Sequence, residues 1–130
     1  MDATIERNFV NLCIKKENRE RLIFELQSKK HREKALSRLS HSPESILNEH
    51  FVKTTALDLK YFAQEFNNNT TSCYIITSDL YDGLSCTLTT ALECFEKTQM
   101  LMILFNNDFA VIKEEVECGA PNIWFAKLTK

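Results

Sequence analysis

The chain has 130 residues, 44% of them hydrophobic and 26% charged, and its net charge at neutral pH is −2. This length is typical of a single core, and we expect one domain over residues 1–130. No apolar run approaches the ~20 residues of a membrane-spanning helix, so we expect no membrane partner. The slightly acidic net charge also disfavours a nucleic-acid-binding domain, since these are usually basic.

The first residues lack the pattern of a signal peptide. Asp2 and Glu6 precede the first apolar positions, and no small-residue cleavage site follows. The five cysteines form no CxxC pair, which favours reduced, mostly buried thiols. A disulfide framework or a zinc site is the alternative, although the three histidines lie nine or ten residues apart. We therefore expect a cytoplasmic protein without a metal or another cofactor.

The first half of the chain is predicted to be helical. Apolar residues recur every three to four positions over residues 3–40, which indicates helix in two or three pieces with a break near residues 15–18. Ser42 and Pro43 are expected to begin a short helix that ends near Leu47. A further helix is predicted over residues 55–66, so residues 1–70 form the helical half with three to four helices.

The second half, residues 71–130, is predicted to be rich in strands. Residues 72–78 are β-branched and aromatic, typical of a strand buried on both faces, and residues 84–88 are expected to form a short edge strand. Thr90 and Glu93 fit the capping box of a following helix.

The last part of this half is predicted to be a meander. Residues 100–105 predict a buried strand, residues 109–117 alternate like a half-exposed strand, and residues 123–128 close the sheet. The short turns between these strands predict an antiparallel three-strand meander. We expect an α+β fold with the helical segment packed on a mostly antiparallel sheet.

The charge is divided unevenly along the chain. Residues 1–43 hold ten Lys/Arg and six Asp/Glu, a net +4, whereas residues 44–130 hold six and twelve, a net −6. The most basic stretch, residues 28–41, has an apolar stripe of Ala35, Leu36 and Leu39. Lys30, Lys34 and Arg38 fall opposite this stripe and are expected to be solvated. Lys29 and Arg32 fall at or within it, so they either extend along the edge of the core or pair with acids of another element.

No enzyme motif is present. Two glycines, Gly83 and Gly119, exclude a P-loop and a GxGxxG turn, and no GxSxG or HExxH occurs. Asp79 and Asp82 are the best carboxylate pair; they either hold a cation or a general base, or shape a turn by accepting from backbone amides. The turn is favoured because no known cation-loop pattern surrounds them. We expect no catalytic activity.

Acidic and aromatic side chains of the second half are the candidates for binding a partner. Glu115 and Glu117 are predicted on the outer side of their strand, and Glu114 interrupts its apolar side. Solvated surface is the alternative for these acids, and core packing is the alternative for Trp124, the only tryptophan. The candidate partner-binding residues are Asp79, Tyr81, Asp82, Glu114, Glu115, Glu117 and Trp124.

The order of these segments resembles a group of small bacterial proteins. "CYIITSDLYDGLSCTLTTALECF", followed by "MLMILFNNDFAVIKEEVE" and "IWFAKL" behind a basic helical N-terminus, is similar to immunity proteins of contact-dependent growth inhibition and related polymorphic toxin systems. The resemblance covers most of the chain and is carried by structural motifs. It implies a cytoplasmic inhibitor that binds one cognate toxin domain, expected to be a nuclease, and covers its active site.

The resemblance transfers no catalytic residue. An acidic surface is physically compatible with it, because a nuclease is usually cationic where it holds phosphates. The alternative is a small nucleic-acid-binding or regulatory module that uses the basic N-terminal helices. A small enzyme ranks last, and the oligomeric state stays open.

Overall fold

The computed structural model describes residues 2–55, 58–59, 61, 64–65, 71–116 and 119–128. The part before residue 47 is helical, as predicted, and contains α1 (Ala3–Cys13), α2 (Lys16–Leu26), α3 (Lys29–His41) and the single turn α4 (Pro43–Ile46). The Asp2 carboxylate caps α1 by accepting from the Thr4 and Ile5 amides at 3.0 and 3.1 Å. Ile14 then interrupts the helix because it is extended and forms a β-bridge with Leu47.

The described residues also contain a six-stranded sheet, in which every pair of neighbours is antiparallel. The strand order across the sheet is β1-β6-β5-β4-β2-β3. The strands are β1 (Phe51–Thr54), β2 (Ser72–Thr77), β3 (Ser85–Thr87), β4 (Met102–Asn106), β5 (Phe109–Lys113) and β6 (Ile123–Lys127). The α+β class is confirmed, and so are the edge strand β3 and the C-terminal meander of β4, β5 and β6.

Both faces of the central strands are buried, because helices cover the sheet on each side. α1, α2 and α3 pack over one face, where Phe9 lies edge-on to Phe105 with ring centroids 5.5 Å apart. α5 (Leu88–Lys97) packs over the other face through Leu88, Ala91 and Phe95. Alternate residues of one strand therefore enter different cores, which explains why these strands have continuous apolar sequences.

Three local predictions differ from the structure. β1 was not predicted, because four residues are too short to show a period; it pairs with β6 and brings the helical half into the sheet. α5 begins at Leu88, before the predicted capping box, because Thr87 is its N-cap and its Oγ1 accepts from the Thr90 amide at 3.2 Å. β5 ends at Lys113, so the alternation predicted as far as residue 117 does not continue as strand.

The helix predicted over residues 55–66 lies partly outside the described residues. Residues 58, 59, 61, 64 and 65 are helical, and Leu59 is buried in the core under α5. No helix of the described residues is both long and apolar enough to cross a membrane.

Candidate partner-binding site

One end of the sheet collects most of the candidate residues. Because the strands are antiparallel, β2 and β5 finish at the same end as β4 and β6 begin, as the pairing of Lys113 with both Met102 and Ile123 shows. The loop 78–84 follows β2, and residues 114–116 and 119–122 follow β5. β2 and β5 are two strands apart, about 10 Å at the usual strand spacing. We call these two segments the acidic end.

Asp79 shapes the loop 78–84 from within. Its carboxylate accepts from the Tyr81 amide at 3.0 Å and from Thr98 Oγ1 at 2.6 Å, and its carbonyl accepts from the Asp82 amide at 3.2 Å. This is an Asx turn, so the turn interpretation of Asp79 fits its observed contacts. Tyr81 is half-buried and packs against the core under α5.

Asp82 also has internal partners. Its carboxylate accepts from the Thr77 amide at 3.1 Å and receives two hydrogen bonds of 2.9 Å from the guanidinium of Arg32. The loop is closed further by the Gly83 amide, which donates to Ile75 O at 2.8 Å. Gly83 has a φ of 81°, in the left-handed region that favours glycine. Every carboxylate of this loop is thus part of its framework.

The same guanidinium anchors α1. Arg32 is 6% exposed and donates to both carboxylate oxygens of Glu6, at 2.6 and 2.8 Å. It also donates to Leu26 O at 2.7 Å, and Tyr74 completes the cluster by donating to Glu6 Oε2 at 2.6 Å. Burial opposes the charge of Arg32, but the hydrogen bonds to Glu6 and Asp82 outweigh it and raise the pKa of the guanidinium. Burial and the bond to Glu6 raise the pKa of Tyr74.

Leu80 lies at the tip of this braced loop. Its side chain is 83% exposed, the largest value among the exposed large hydrophobic residues. Leu84, at the end of the same loop, is 47% exposed. The loop therefore presents apolar side chains to solvent while its acidic residues hold the backbone in place.

The second part of the acidic end combines Trp124 with two glutamates. Trp124 Nε1 donates to Glu114 Oε2 at 2.7 Å, and Lys53 Nζ lies 5.9 Å from the indole ring centroid. Glu115 is exposed, and its amide donates to Ser40 Oγ at 2.8 Å. Glu117 lies outside the described residues. The structure thus brings Glu114 and Trp124 into contact and separates them from the loop 78–84 by the width of two to three strands.

The position of Lys113 differs from the prediction for the outer side of β5. Its side chain was placed with Glu115 on a solvated face, but it is 4% exposed. The Nζ donates to the carbonyls of Phe95 and Thr98, the latter at 2.6 Å, and lies 5.1 Å from the Phe95 ring centroid. Burial lowers the pKa of this amine. α5 covers this face of the sheet, which is why the predicted solvent side does not exist.

The basic helix α3 crosses the acidic end and is only partly solvated. Lys29, Lys30 and Lys34 are exposed. Arg32 is internal and pairs with acids of other elements, which is the second of the two alternatives stated for Lys29 and Arg32. Arg38 was predicted to be solvated, but it forms a two-bond ion pair with Glu25 of α2, whose carboxylate pKa is lowered mainly by these hydrogen bonds.

Two grooves flank α3 at this end. One, of about 240 Å³, lies beside Lys29, Thr77, Asp79 and Asp82. The other, of about 280 Å³, lies beside His41, Glu115, Val116, Pro121 and Asn122. Both are lined by polar and charged groups as well as apolar ones. The first lies against Lys29, Arg32 and Leu36 of α3, and the second lies against Ser40 and His41 at the end of the same helix.

The buried polar side chains of the described residues have internal partners, and no metal-binding cluster occurs among these residues. No group of three or more His, Cys, Asp or Glu side chains among them is arranged to hold a metal ion. In the same part of the chain, every buried side-chain nitrogen and oxygen has a hydrogen-bond partner. Sequence reasoning missed Glu6 and Leu80: the only signal for Glu6 was a basic residue on the apolar side of α3, and a single exposed leucine has no sequence signal.

Comparisons with protein-family models, with curated proteins and with solved structures found no match to this chain.

Proposed function

We propose that this chain is an immunity protein: a cytoplasmic inhibitor that binds one cognate toxin domain, a nuclease, and covers its active site. The sequence resemblance to immunity proteins of contact-dependent growth inhibition and related polymorphic toxin systems supports this proposal. The structural observation that carries it is the loop 78–84, which is braced by Asp79 and Asp82 and presents Leu80 at the acidic end.

A braced loop is well suited to binding another protein. Asp79 and Asp82 fix the backbone through amide, hydroxyl and guanidinium donors, so the loop loses little conformational freedom when a partner binds. Leu80 supplies an apolar side chain that is already exposed in the free protein. Interfaces gain most of their binding energy from a few well-packed central side chains surrounded by a polar rim, and we propose that Leu80 is one of them.

The charge of the second half fits a cationic partner. Residues 44–130 carry a net −6, and at this end of the sheet Glu115 is exposed and Glu114 is half-exposed. A nuclease presents cations where it holds the phosphates of its substrate. The exposed Glu115 and the half-exposed Glu114 would accelerate association with such a surface and select against acidic partners.

The internal use of Asp79 and Asp82 favours binding over catalysis. A general acid or base needs a carboxylate that can reach a substrate. Here the Asp79 carboxylate accepts from the Tyr81 amide of the loop, and the Asp82 carboxylate accepts from the Thr77 amide at the end of β2 and is paired with Arg32. Their contacts are those of a scaffold, which agrees with an inhibitor that is not an enzyme.

The second candidate is a nucleic-acid-binding or regulatory module. Its support is the exposed row of Lys29, Lys30 and Lys34 on α3. The internal pairing of Arg32 and Arg38 weakens it, because two of the five Lys and Arg side chains of this stretch are neutralised within the protein. A mobility shift that weakens steeply with salt would favour this candidate.

Co-expression tests the first candidate. The partner is the C-terminal domain of the protein encoded immediately upstream, expressed from an inducible promoter with and without this chain. Survival only when the two are together, followed by their co-purification, is the expected result. Leu80→Glu should abolish both, whereas Val52→Glu, at an apolar position that is 55% exposed on the opposite edge strand β1, should preserve them. Cell death with no complex would reject the proposal.

A further inference from the structure

A cluster of thiols lies at the sheet edge that bears β3. Cys73 of β2 and Cys86 of β3 are directly opposite each other in the antiparallel register, and Cys94 of α5 packs beside them on the same core. All three are free thiols in the structure. None of them takes part in the proposed binding site.

The register of the first two is compatible with a disulfide. They form a hydrogen-bonded pair, because the pairs two residues away on either side are joined by Leu88 N to Thr71 O and by Ile75 N to Leu84 O. Such pairs have Cα atoms about 5.5 Å apart, within the ~4.4 to 6.8 Å that a disulfide spans. Directly opposite residues also point to the same face of the sheet. The two thiols are close enough that each affects the pKa of the other. A disulfide between Cys73 and Cys86 therefore keeps the register of β2 and β3.

We propose that Cys73 and Cys86 form a reversible intramolecular disulfide when the protein meets a low-molecular-weight disulfide such as oxidised glutathione. In the first step the thiolate of Cys86 attacks one sulfur of the oxidant, whose S–S bond breaks and releases one glutathione thiolate. In the second step the thiolate of Cys73 attacks the Cys86 sulfur of the mixed disulfide and releases the second glutathione. The two protons of the cysteines end on the two released thiols.

Access decides the order of the two steps. Cys86 lies on the edge strand and is half-buried, whereas Cys73 is 4% exposed. Only the edge thiol can therefore meet a bulky oxidant first, and Cys73 acts as the resolving thiol. Burial is the main cause of a raised pKa at both thiols, so the exchange is expected to be slow at neutral pH and faster in mild alkali.

The disulfide would fasten a weakly held strand. β3 has three residues and pairs with β2 alone. It begins directly after the loop 78–84, so a covalent link at Cys86 ties the end of that loop to the interior of the sheet. This inference does not depend on the identity of any binding partner.

Peptide mapping of the oxidised full-length chain tests the proposal. The protein is incubated with oxidised glutathione at about pH 8, where more thiolate is present, then alkylated and digested with a protease that cuts after Asp and Glu. Such cuts separate the three cysteines, because Asp79 and Asp82 lie between Cys73 and Cys86, and Glu93 precedes Cys94. The expected product is a Cys73–Cys86 cross-linked peptide with the loss of two free thiols per chain.

Single serine variants make the test specific. Cys73→Ser and Cys86→Ser should each abolish the cross-link, and Cys86→Ser changes only a half-buried side chain. Cys94→Ser should retain it, as should Cys13→Ser, whose thiol lies in the other core. A cross-link to Cys94 or to Cys118, or a mixed disulfide at Cys86 that is never resolved, would overturn the proposal, as would five alkylated thiols after prolonged oxidation.

Discussion

Arg32 of α3 and Asp82 of the loop 78–84 are joined by two parallel hydrogen bonds of 2.9 Å, although 50 residues separate them along the chain. The same guanidinium holds Glu6 of α1 through two more. A single side chain thus connects the N-terminal helix, the basic helix and the acidic end. Arg32 and Glu6 are both buried, so each compensates for the desolvation of the other, whereas Asp82 lies at the partly exposed side of the network.

Removal of Arg32 should destabilise the protein strongly. Arg32→Met keeps most of the apolar stem but leaves the buried Glu6 without its cation, a change that typically costs about 3 to 5 kcal/mol of unfolding free energy. Urea unfolding followed by circular dichroism measures this cost. Arg38→Met is the comparison variant: the Arg38 side chain is 35% exposed, and its partner Glu25 keeps a second cation, Arg21, at 3.4 Å, so a smaller loss is expected. Equal losses in the two variants would show that the buried network has no special weight.

Leu80 should matter for binding and not for folding. Because its side chain is 83% exposed, Leu80→Ala should change the unfolding free energy by less than about 0.5 kcal/mol. If Leu80 is a central contact, the same change should weaken toxin binding by at least about 30-fold, near 2 kcal/mol. Titration calorimetry of both proteins gives this ratio, with Val52→Ala as the control on the opposite edge strand. Unchanged affinity in Leu80→Ala would place the interface elsewhere.

Charge reversal should slow association with the toxin domain at one end of the sheet and not at the other. Glu115→Lys changes an exposed acid at the acidic end, and Asp108→Lys changes an exposed acid in the β4–β5 turn at the other end. Each alters the net charge by the same amount. We expect slower association with the toxin domain for Glu115→Lys only, and a weaker dependence of its rate on salt. Stopped-flow association at several ionic strengths measures this, and equal rates for the two variants would reject a role for the acidic end.

The buried thiols should make the protein less stable in alkali. Burial raises the pKa of Cys13 above its ordinary value of 9.0, and that of Cys73 to about 12. Above about pH 9 the unfolded chain releases these protons while the folded chain keeps them, so the free energy of unfolding falls as pH rises. Lys113 has the opposite effect below pH 10.5. Its pKa is lowered in the folded state, so the unfolded chain binds more protons there, and this contribution makes the free energy of unfolding rise with pH.

Cys13→Ala measures the contribution of one thiol to the pH dependence of the free energy of unfolding. The variant loses packing at every pH, but it also loses one alkaline titration, while Lys113 is common to both proteins. The stability gap between wild type and variant should therefore narrow by up to about 1.4 kcal/mol per pH unit above pH 9. Urea unfolding between about pH 8 and 10 provides the curves. Parallel curves over that range would contradict a buried, protonated Cys13.

The periodicity of the sequence predicts the fold well where segments are long. The helices before residue 42, the double-sided burial of β2 and the terminal meander all follow from apolar spacing. β1 was missed because four residues show no period, and only its pairing with β6 makes it a strand. Lys113 was misplaced because alternation cannot reveal that α5 covers the second face of the sheet.

The candidate site was predictable only in its local part. The turn at Asp79 and Asp82 follows from residue type, because aspartate oxygens accept from nearby amides. Arg32, Glu6 and Asp82 are brought into contact only by the tertiary fold. In the sequence, the one indication of this contact is that Arg32 falls on the apolar stripe of α3. The exposure of Leu80 likewise depends on how the loop is held.

Titration of a nuclease reaction is the most direct test of the inhibitor account. The C-terminal domain encoded immediately upstream is purified, and its cleavage of RNA and DNA is followed while this chain is added. The account predicts that cleavage stops at one molecule of this chain per toxin domain, and that Leu80→Glu does not stop it. Cleavage that continues in the presence of excess wild-type protein would contradict the account.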